Sequence, residues 1–406
     1  MTPPRVLVTD ARLGSAIAVI RSLGRAGMHV IAADHERRST GFRSRYSVER
    51  LVYPNPASDP LAVVELLRDR AAAGDLDLIV PVTDELMLPL AAARERFAGL
   101  CALAIPDDAA LATAADKAAT VRLAERLGVP VPRSVLVQNS EEALSAAPHL
   151  GWPVVLKPAT SFQLRDGMGE RFSVAYADGP EMLKARMDAL AGRCSVLLQE
   201  YCAGEGSGVE LLLENGRTLM TFQHRRLHEV PITGGASALR ESVPPEPELV
   251  AHAVRLLGAM SWTGLAMVEF RVGARGPLLM EVNGRVWGSL PLAVRSGVDF
   301  PLGLAKVYLG RRLNGHVPTP PLTPASIGVR SRNLRLEVVW IASVLRRRRL
   351  YPFLAVPRRR DGIVAALRLP LPRDGFDLLS RDDPAPGVID ALRAAGHLLH
   401  KVRDAA

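Results

Sequence analysis

Four polar side chains within residues 265–288 have the types and spacing to bind a metal ion and an anion. Apolar and polar residues alternate on both sides of a glycine-containing turn, which predicts a hairpin of two half-buried strands. Pairing these strands about the turn sets Glu269 opposite Glu281, with Asn283 and Arg285 further along the same face. Facing carboxylates repel unless a cation lies between them, and carboxylate and amide oxygens are ligands that Mg²⁺ accepts. The alternative is a solvent-facing hairpin with scattered charges.

Further candidate binding residues lie at the ends of strands that precede this hairpin. Residues 154–157 are predicted to form a buried strand that ends in Lys157, before a polar loop. A lysine in this position can bind phosphate. Taken alone, however, a strand-end lysine more often buries its aliphatic chain and exposes its amine to solvent. Residues 196–201 form a second apolar strand, which carries Glu200 near its end and could present backbone groups to a flat heterocycle. A triphosphate with Mg²⁺ is the ligand that would use all of these groups.

The absence of known motifs excludes some classes of nucleotide-binding protein. The sequence contains neither G-x-x-x-x-G-K-[ST] nor the protein-kinase signatures. Residues 5–33 have the β-α-β spacing of a parallel α/β domain, but their first loop lacks G-x-G-x-x-G, so a nicotinamide-binding interpretation rests on fold analogy alone. Residues 83–85 (Thr-Asp-Glu) follow the predicted strand 76–81, where open α/β sheets bind ligands, but they fit a helix cap equally well.

Length and composition predict a globular protein with more than one domain. The chain has 406 residues, which exceeds a single compact core, and its net charge of +9 is concentrated after residue 309 in runs such as 346–349 and 358–360. Aromatic residues do not interleave with these runs and no nucleic-acid motif occurs, so nucleic acid is not expected as a partner. Three unevenly spaced cysteines, no signal peptide and no membrane-length apolar run favour a cytoplasmic location.

The last eighty residues are predicted to contain helices at 336–345 and 387–403 and a weak strand at 362–369. The first of these helices precedes four arginines and could lie on a membrane surface. Packing of its apolar side against the protein is the favoured alternative, so membrane contact through this basic region is not the main expectation.

Four segments carry a resemblance to a known family. They are PVVLKP (153–158), VLLQEYCAGEG (196–206), HRRLHEVPITGGAS (224–237) and AMVEF…LLMEVNGRVWGSLPLA (266–293). In this order they resemble the ATP-grasp superfamily, specifically its carboxylate–amine ligase type, over about residues 1–310. The resemblance implies an α/β protein (α+β in the ATP-binding part) with a Rossmann-like N-terminal domain followed by a two-subdomain ATP-grasp fold. The implied units are the N-terminal domain at 1–106, a small ATP-grasp subdomain at 107–195, a large subdomain with the metal site at 196–310 and a basic C-terminal extension at 311–406.

The resemblance also implies roles for individual residues. The cofactor-binding residues would be Lys117, Lys157, Glu200, Tyr201, Ala203 and Glu205. Glu269, Glu281 and Asn283 would be the metal ligands, for two Mg²⁺ ions that Mn²⁺ could replace. Arg285 would steady an acyl phosphate, and Arg225, Arg226 and Arg240 would line the γ-phosphate or substrate side. The loop after Lys157 is less glycine-rich than the family's usual phosphate lid.

The implied activity is an ATP- and Mg²⁺-dependent ligase that activates a carboxylate as an acyl phosphate and joins it to an amine, releasing ADP and phosphate. One alternative is an ATP-dependent carboxylase or carbamoyl-phosphate-type enzyme, against which the lack of a biotin-carrier segment counts. Another is a nucleotide-binding regulator without turnover, against which the complete set of metal ligands counts. The expected partners are small-molecule carboxylates and amines, with residues 43–45 and 83–85 as candidates for the acceptor site. The oligomeric state is left open, with a homodimer compatible with the sequence.

Overall fold

Five short strands near the N-terminus form a parallel sheet in the computed structural model, which describes residues 2–165, 168–310, 324–346, 357–369 and 374–403. The strand order is β3-β2-β1-β4-β5, and helices cover both faces, as buried parallel strands require. The elements of this part are β1 (Arg5–Val8), α1 (Gly14–Arg25), β2 (His29–Asp34), β3 (Glu49–Val52), α2 (Pro60–Ala72), β4 (Leu78–Val80), α3 (Asp84–Ala92), β5 (Ala102–Leu103), α4 (Asp108–Ala115) and α5 (Lys117–Arg126).

A four-stranded antiparallel sheet follows, in the order β10-β7-β11-β6. Its apolar residues pack against two helices, and a separate two-stranded hairpin, β8–β9, extends from it. The elements are β6 (Ser134–Val137), α6 (Ser140–Leu150), β7 (Val154–Pro158), β8 (Phe162–Arg165), β9 (Met168–Arg171), β10 (Ala175–Ala177), α7 (Pro180–Asp188) and β11 (Val196–Glu200).

The largest sheet has seven strands in the order β16-β15-β12-β13-β14-β17-β18. All neighbours are antiparallel except the last two strands, which come from the C-terminal part of the chain. The elements are β12 (Glu205–Glu214), β13 (Arg217–Val230), β14 (Ala236–Ser242), α8 (Pro247–Ala259), β15 (Gly264–Gly273), β16 (Gly276–Asn283), α9 (Leu290–Arg295), α10 (Phe300–Leu309), β17 (Arg330–Arg332), α11 (Leu334–Arg346), α12 (Arg359–Arg368), β18 (Gly375–Phe376) and α13 (Ala385–Arg403).

The predicted α/β class is confirmed, with antiparallel sheets in the second part of the chain. Asn215 and Gly216, which both have positive φ, form the tight turn that connects β12 to β13. The weak strand predicted at 362–369 is wrong, since this segment lies mostly in α12, where Gly362 packs closely against Val344 of α11. The domain boundaries remain a prediction, and most of residues 311–325 and of the arginine run at 346–349 lie outside the described residues.

The length and composition of the helices also indicate whether any of them could cross a membrane. Within the described ranges, none of the helices combines enough length with enough apolar character to span a bilayer. The helix predicted at 336–345 is α11, and its buried residues include Trp340, Ile341 and Val344, which pack in an apolar cluster with Ala238 of β14. The apolar side of α11 is therefore used against the protein itself.

Candidate functional site

A cavity of about 610 Å³ is lined by residues of the four-stranded and seven-stranded sheets. It brings together most of the predicted site residues, from strand ends that are far apart in the sequence. Those that line it are Lys157, Glu200, Tyr201, Ala203, Arg226, Glu269, Glu281, Asn283 and Arg285. The four segments on which the family resemblance rests therefore meet around one space.

The predicted carboxylate pair forms the centre of this cavity. Glu269 of β15 and Glu281 of β16 are directly paired across the hairpin, as the alternation of residues predicts. The Asn283 amide nitrogen donates to one oxygen of each carboxylate, at 2.9 Å from Glu269 and 3.2 Å from Glu281. The Arg226 guanidinium lies 2.5 Å from Glu269 and neutralises part of the pair's charge.

The electrostatics of this pair fit a divalent cation. Burial raises the pKa of Glu269, and the charge of Glu281 adds to this effect while Arg226 opposes it. Burial also acts on Glu281, but the charges of Lys117 and Lys157 lower its pKa overall. A bound cation would offset the cost of ionising Glu269 in this position.

The possible metal ligands in this cavity suit a Mg²⁺ ion that also binds phosphate oxygens and water. Within the described ranges, no group of three or more His, Cys, Asp or Glu side chains could hold a metal alone. The two carboxylates and the Asn283 carbonyl oxygen would thus make an incomplete, all-oxygen set. Mg²⁺ accepts such a set when phosphate oxygens and water complete its coordination.

Two lysines supply positive charge beside the carboxylates. Lys117 begins α5, which the Asp116 side chain caps, and the Lys117 amine donates to the Ser161 hydroxyl at 2.7 Å. The Lys157 amine lies 3.4 Å from the Met280 carbonyl oxygen and faces the cavity. Lys157 and Ser161 line the cavity, and Lys117 is connected to it through its hydrogen bond to Ser161.

The Glu200 side chain was expected to bind the cofactor, but its contacts are with other residues of the protein. The Glu200 carboxylate accepts hydrogen bonds from the Arg133 backbone nitrogen and side chain and from Arg275, each at 2.9 Å. Its charge is therefore used within the protein, which fixes the end of β11. Contact with a heterocycle would fall to the neighbouring residues, among which Tyr201 and Ala203 line the cavity.

Besides Lys117, three predicted residues lie outside the cavity lining. Arg240 is fully buried and pairs with Asp377 at 2.6 Å, so the expectation that it faces the substrate is corrected: a buried guanidinium needs a carboxylate, and β18 leads directly into one. Arg225 pairs with Glu241 at 2.6 Å, and Glu205 is exposed. None of these contacts could be read from the sequence, because the partners come from separate elements.

Arg285 has an unforeseen partner in the first sheet. Its guanidinium pairs with Asp84 at 3.0 Å, and Asp84 begins the helix that follows β4. Although burial opposes the charge, Asp84 raises the pKa of Arg285, which stays fully protonated. The neighbouring Glu85 is buried and pairs with Arg171 of β9 at 2.5 Å. The two acids suggested as ligand contacts therefore hold protein arginines.

The other suggested acceptor segment, residues 43–45, does not line the cavity. The backbone nitrogen of Arg45 instead donates to Asp383 in the C-terminal part at 2.9 Å. Two residues from that same part of the chain, Asn333 and Leu336, do line the cavity. Sequence reasoning missed them because no motif marks them.

Two family models match the chain. The model described as "ATP-grasp in the biosynthetic pathway with Ter operon" matches residues 193–331. The ATP-binding domain of the carbamoyl-phosphate synthase L chain matches residues 116–206. These ranges contain almost all of the residues that line the cavity.

Similar proteins are found among curated and solved proteins. The carbamoyl phosphate synthase large chain of Thermomicrobium roseum is 27% identical over 314 residues, 73% of this chain but only 28% of that protein. The ribosomal protein bS6–L-glutamate ligase of Shigella boydii is 26% identical over 203 residues, covering 47% of this chain and 63% of the ligase. An ADP complex of N5-carboxyaminoimidazole ribonucleotide synthetase has a TM-score of 0.63 at 14% identity, covering 90% of this chain and 96% of that one.

Proposed function

Because this chain belongs to the ATP-grasp superfamily, we propose that it is an ATP- and Mg²⁺-dependent ligase that joins a carboxylate to an amine. The observation that carries the proposal is the pairing of Glu269 with Glu281 in a cavity that also contains Asn283, Lys157 and Arg285. Metal ligands, phosphate-binding cations and a substrate-side arginine are then present in one space. The similarity to enzymes that form carbon–nitrogen bonds supports the same conclusion.

Bound ATP with Mg²⁺ would supply the phosphoryl group that converts the substrate carboxylate to an acyl phosphate. The protein's own residues would hold the reactants and balance their charge, which is the main contribution of proteins to phosphoryl transfer. Lys117 and Lys157 would neutralise phosphate oxygens, and Glu269, Glu281 and Asn283 would hold the metal. Arg285, fixed by Asp84, would present its remaining N–H groups to the acyl group that the amine attacks.

The base of ATP would lie against residues 201–204, at the end of β11. Tyr201 and Tyr176 meet edge to face there, with ring centroids 6.3 Å apart. The ion pairs that Glu200 makes with Arg133 and Arg275 hold this strand end in place. A rigid strand end offers backbone groups to a flat base without a loss of loop entropy on binding.

Replacing one metal ligand tests the proposal. Glu281→Gln should lower ADP release by at least about a hundredfold, because the metal contributes several kcal/mol to such reactions. The melting temperature should stay close to that of the wild type, because the lost repulsion from Glu269 is offset by the lost attraction to Lys117 and Lys157. The measurement is Mg²⁺-dependent ADP release over a panel of carboxylates and amines, with the exposed Glu248→Gln as the control. A folded Glu281→Gln protein with wild-type turnover would refute the metal assignment.

The carboxylase and carbamoyl-phosphate alternative is not favoured. The match to the carbamoyl phosphate synthase chain covers about a quarter of that chain's length. In the same screen, a bicarbonate requirement would identify this alternative, and ATP binding without ADP release would identify a regulator. We place the reaction among small-molecule carboxylates and amines in the cytoplasm, and a homodimer would be detected by light scattering.

A further inference from the structure

The C-terminal part of the chain contributes one wall of the candidate site. β17 pairs with β14 and so extends the seven-stranded sheet, and α11 follows immediately and packs over β13 and β14. Asn333 and Leu336, at the junction of β17 and α11, line the same cavity as Glu281 and Arg285. The junction of β17 and α11, which lies outside the four segments that carry the family resemblance, thus contributes to the cavity.

Backbone and side-chain contacts fix Asn333 in this wall. Its backbone nitrogen donates to the Ala238 carbonyl oxygen at 2.8 Å. Its side-chain oxygen accepts from the Leu336 backbone nitrogen at 3.2 Å and so caps α11. The side-chain nitrogen, for which the described part of the chain shows no partner, is left as a hydrogen-bond donor for a ligand.

A buried network holds α11 behind the wall. Glu337 is fully buried and lies 3.0 Å from His228 of β13 and 3.0 Å from Arg332 of β17. The His228 ring stacks on Trp340 with centroids 3.5 Å apart. The wall is therefore a rigid surface, and rigid elements discriminate between ligands better than mobile loops.

The exposed part of the wall is apolar. Leu336 and Ile232 both line the cavity, and both pack against the apolar cluster of Trp340, Ile341 and Ala238. The arginines near this end of the cavity are already neutralised. Arg271 pairs with Glu229, Arg226 pairs with both Glu229 and Glu269, and Arg332 pairs with Glu337 and Asp374. The wall thus offers apolar surface and one amide donor, with no free cation among its described residues for a second phosphate.

We propose that Asn333, Leu336 and Ile232 select the substrate by contacting the part of it that does not react. This proposal rests on the proposed ligase function. The class that fits is an apolar amino acid or a similarly sized apolar carboxylic acid, with its apolar group on Leu336 and Ile232 and, where the substrate has one besides the reacting group, a hydrogen-bond acceptor at Asn333. Substrates that carry a phosphate group, such as nucleotides and sugar phosphates, are disfavoured. Desolvating a phosphate without a cation is costly, and this cost supplies the discrimination.

The experiment measures binding, so it does not depend on turnover. The full chain is loaded with Mg²⁺ and a non-hydrolysable ATP analogue, and probe binding is followed by saturation-transfer NMR and calorimetry. The probes are leucine, phenylalanine, methionine and aliphatic monocarboxylic acids, compared with phosphoserine and ribose 5-phosphate. We expect the apolar probes to bind and the phosphorylated probes to bind at least about tenfold more weakly.

Two substitutions connect this preference to the wall. Leu336→Phe should weaken the larger apolar probes at least about tenfold by filling their space. Asn333→Asp keeps the helix cap but replaces the donor with an acceptor, so it should weaken probes that bring an acceptor. Both should bind the ATP analogue as the wild type does. Val339→Ala, at an exposed position on the same helix, is the matched control.

Tighter binding of the phosphorylated probes would overturn the assignment. Wild-type selectivity in both Leu336→Phe and Asn333→Asp, or no binding of any apolar probe, would overturn it as well. If the apolar probes bind as expected but no ADP is released with any substrate, the assignment of the wall is supported and the ligase function is contradicted. The two proposals can therefore fail separately.

Discussion

At the residue scale, the position of Lys157 determines how its charge responds to pH. The ammonium group is buried in the cavity wall beside the Met280 carbonyl oxygen. Burial lowers the pKa of Lys157 to about 8, and the nearby charge of Lys117 adds to this effect while Glu281 opposes it. The proposed phosphate contact thus depends on a lysine that titrates near neutral pH.

We expect the affinity of the free protein for ATP to fall as the pH rises above 8. Below this pH Lys157 is protonated and attracts phosphate, whereas above it the neutral amine predominates. Calorimetry with Mg²⁺ and a non-hydrolysable ATP analogue should show binding that is about tenfold weaker at pH 9 than at pH 7. Lys157→Arg is the control, because a guanidinium stays charged throughout this range. If the affinities of the wild type and the arginine variant fell in parallel, another group would be responsible.

At the scale of elements, the β8–β9 hairpin is held against the first sheet's domain by two contacts. The Gly169 nitrogen donates to the Ala57 carbonyl oxygen at 2.9 Å, and Arg171 pairs with Glu85. A Cβ atom at Gly169 would lie 2.7 Å from the Phe162 ring, so only glycine allows this close packing. The hairpin follows Lys157 closely, in the segment that the family resemblance compares with a phosphate lid.

Releasing one of these contacts should loosen the hairpin and leave the rest of the fold unchanged. Glu85→Gln removes the charge that holds Arg171, whose side chain is largely exposed, so we expect amide exchange in β8 and β9 to rise about threefold. Hydrogen exchange followed by mass spectrometry measures this rise. The matched control is Asp188→Asn, which breaks the exposed pair with Lys184 on α7. Unchanged exchange in β8 and β9 would show that the ion pair does not restrain the hairpin.

The same elements show what the sequence could and could not predict. The β15–β16 hairpin was predictable, because strict alternation and a short turn fix which residues face each other, and Glu269 pairs with Glu281 as expected. The β8–β9 hairpin was predicted only as a polar loop, since its order depends on contacts with Ala57 and Glu85, about a hundred residues away. The partner of Arg285 was equally hidden, because Asp84 lies about two hundred residues earlier. Local patterns carry no information on such pairings.

At the scale of the whole molecule, the C-terminal part completes structures that begin much earlier in the chain. Besides the pair of Asp390 with Arg335, four carboxylates after residue 373 each pair with an arginine of an earlier segment. These pairs are Asp374 with Arg332, Asp377 with Arg240, Asp382 with Arg25 and Asp383 with Arg21. Because Arg240 and Arg21 are buried, removing their partners would leave uncompensated charges in the interior, which costs about 3–5 kcal/mol per broken pair.

The pairing of β14 with β17 has a consequence for self-association. A chain that ended at residue 310 would expose the outer edge of β14, and its unpaired N–H and C=O groups could accept a strand from another copy. We expect such a chain to form soluble oligomers or aggregates, as light scattering would detect, while a chain ending at residue 384 retains β17 and β18 and stays monodisperse. A monodisperse, cooperatively melting product of the shorter truncation would contradict this expectation. On this expectation β17, which leads into the wall proposed to select the substrate, also keeps the seven-stranded sheet from pairing with a second copy.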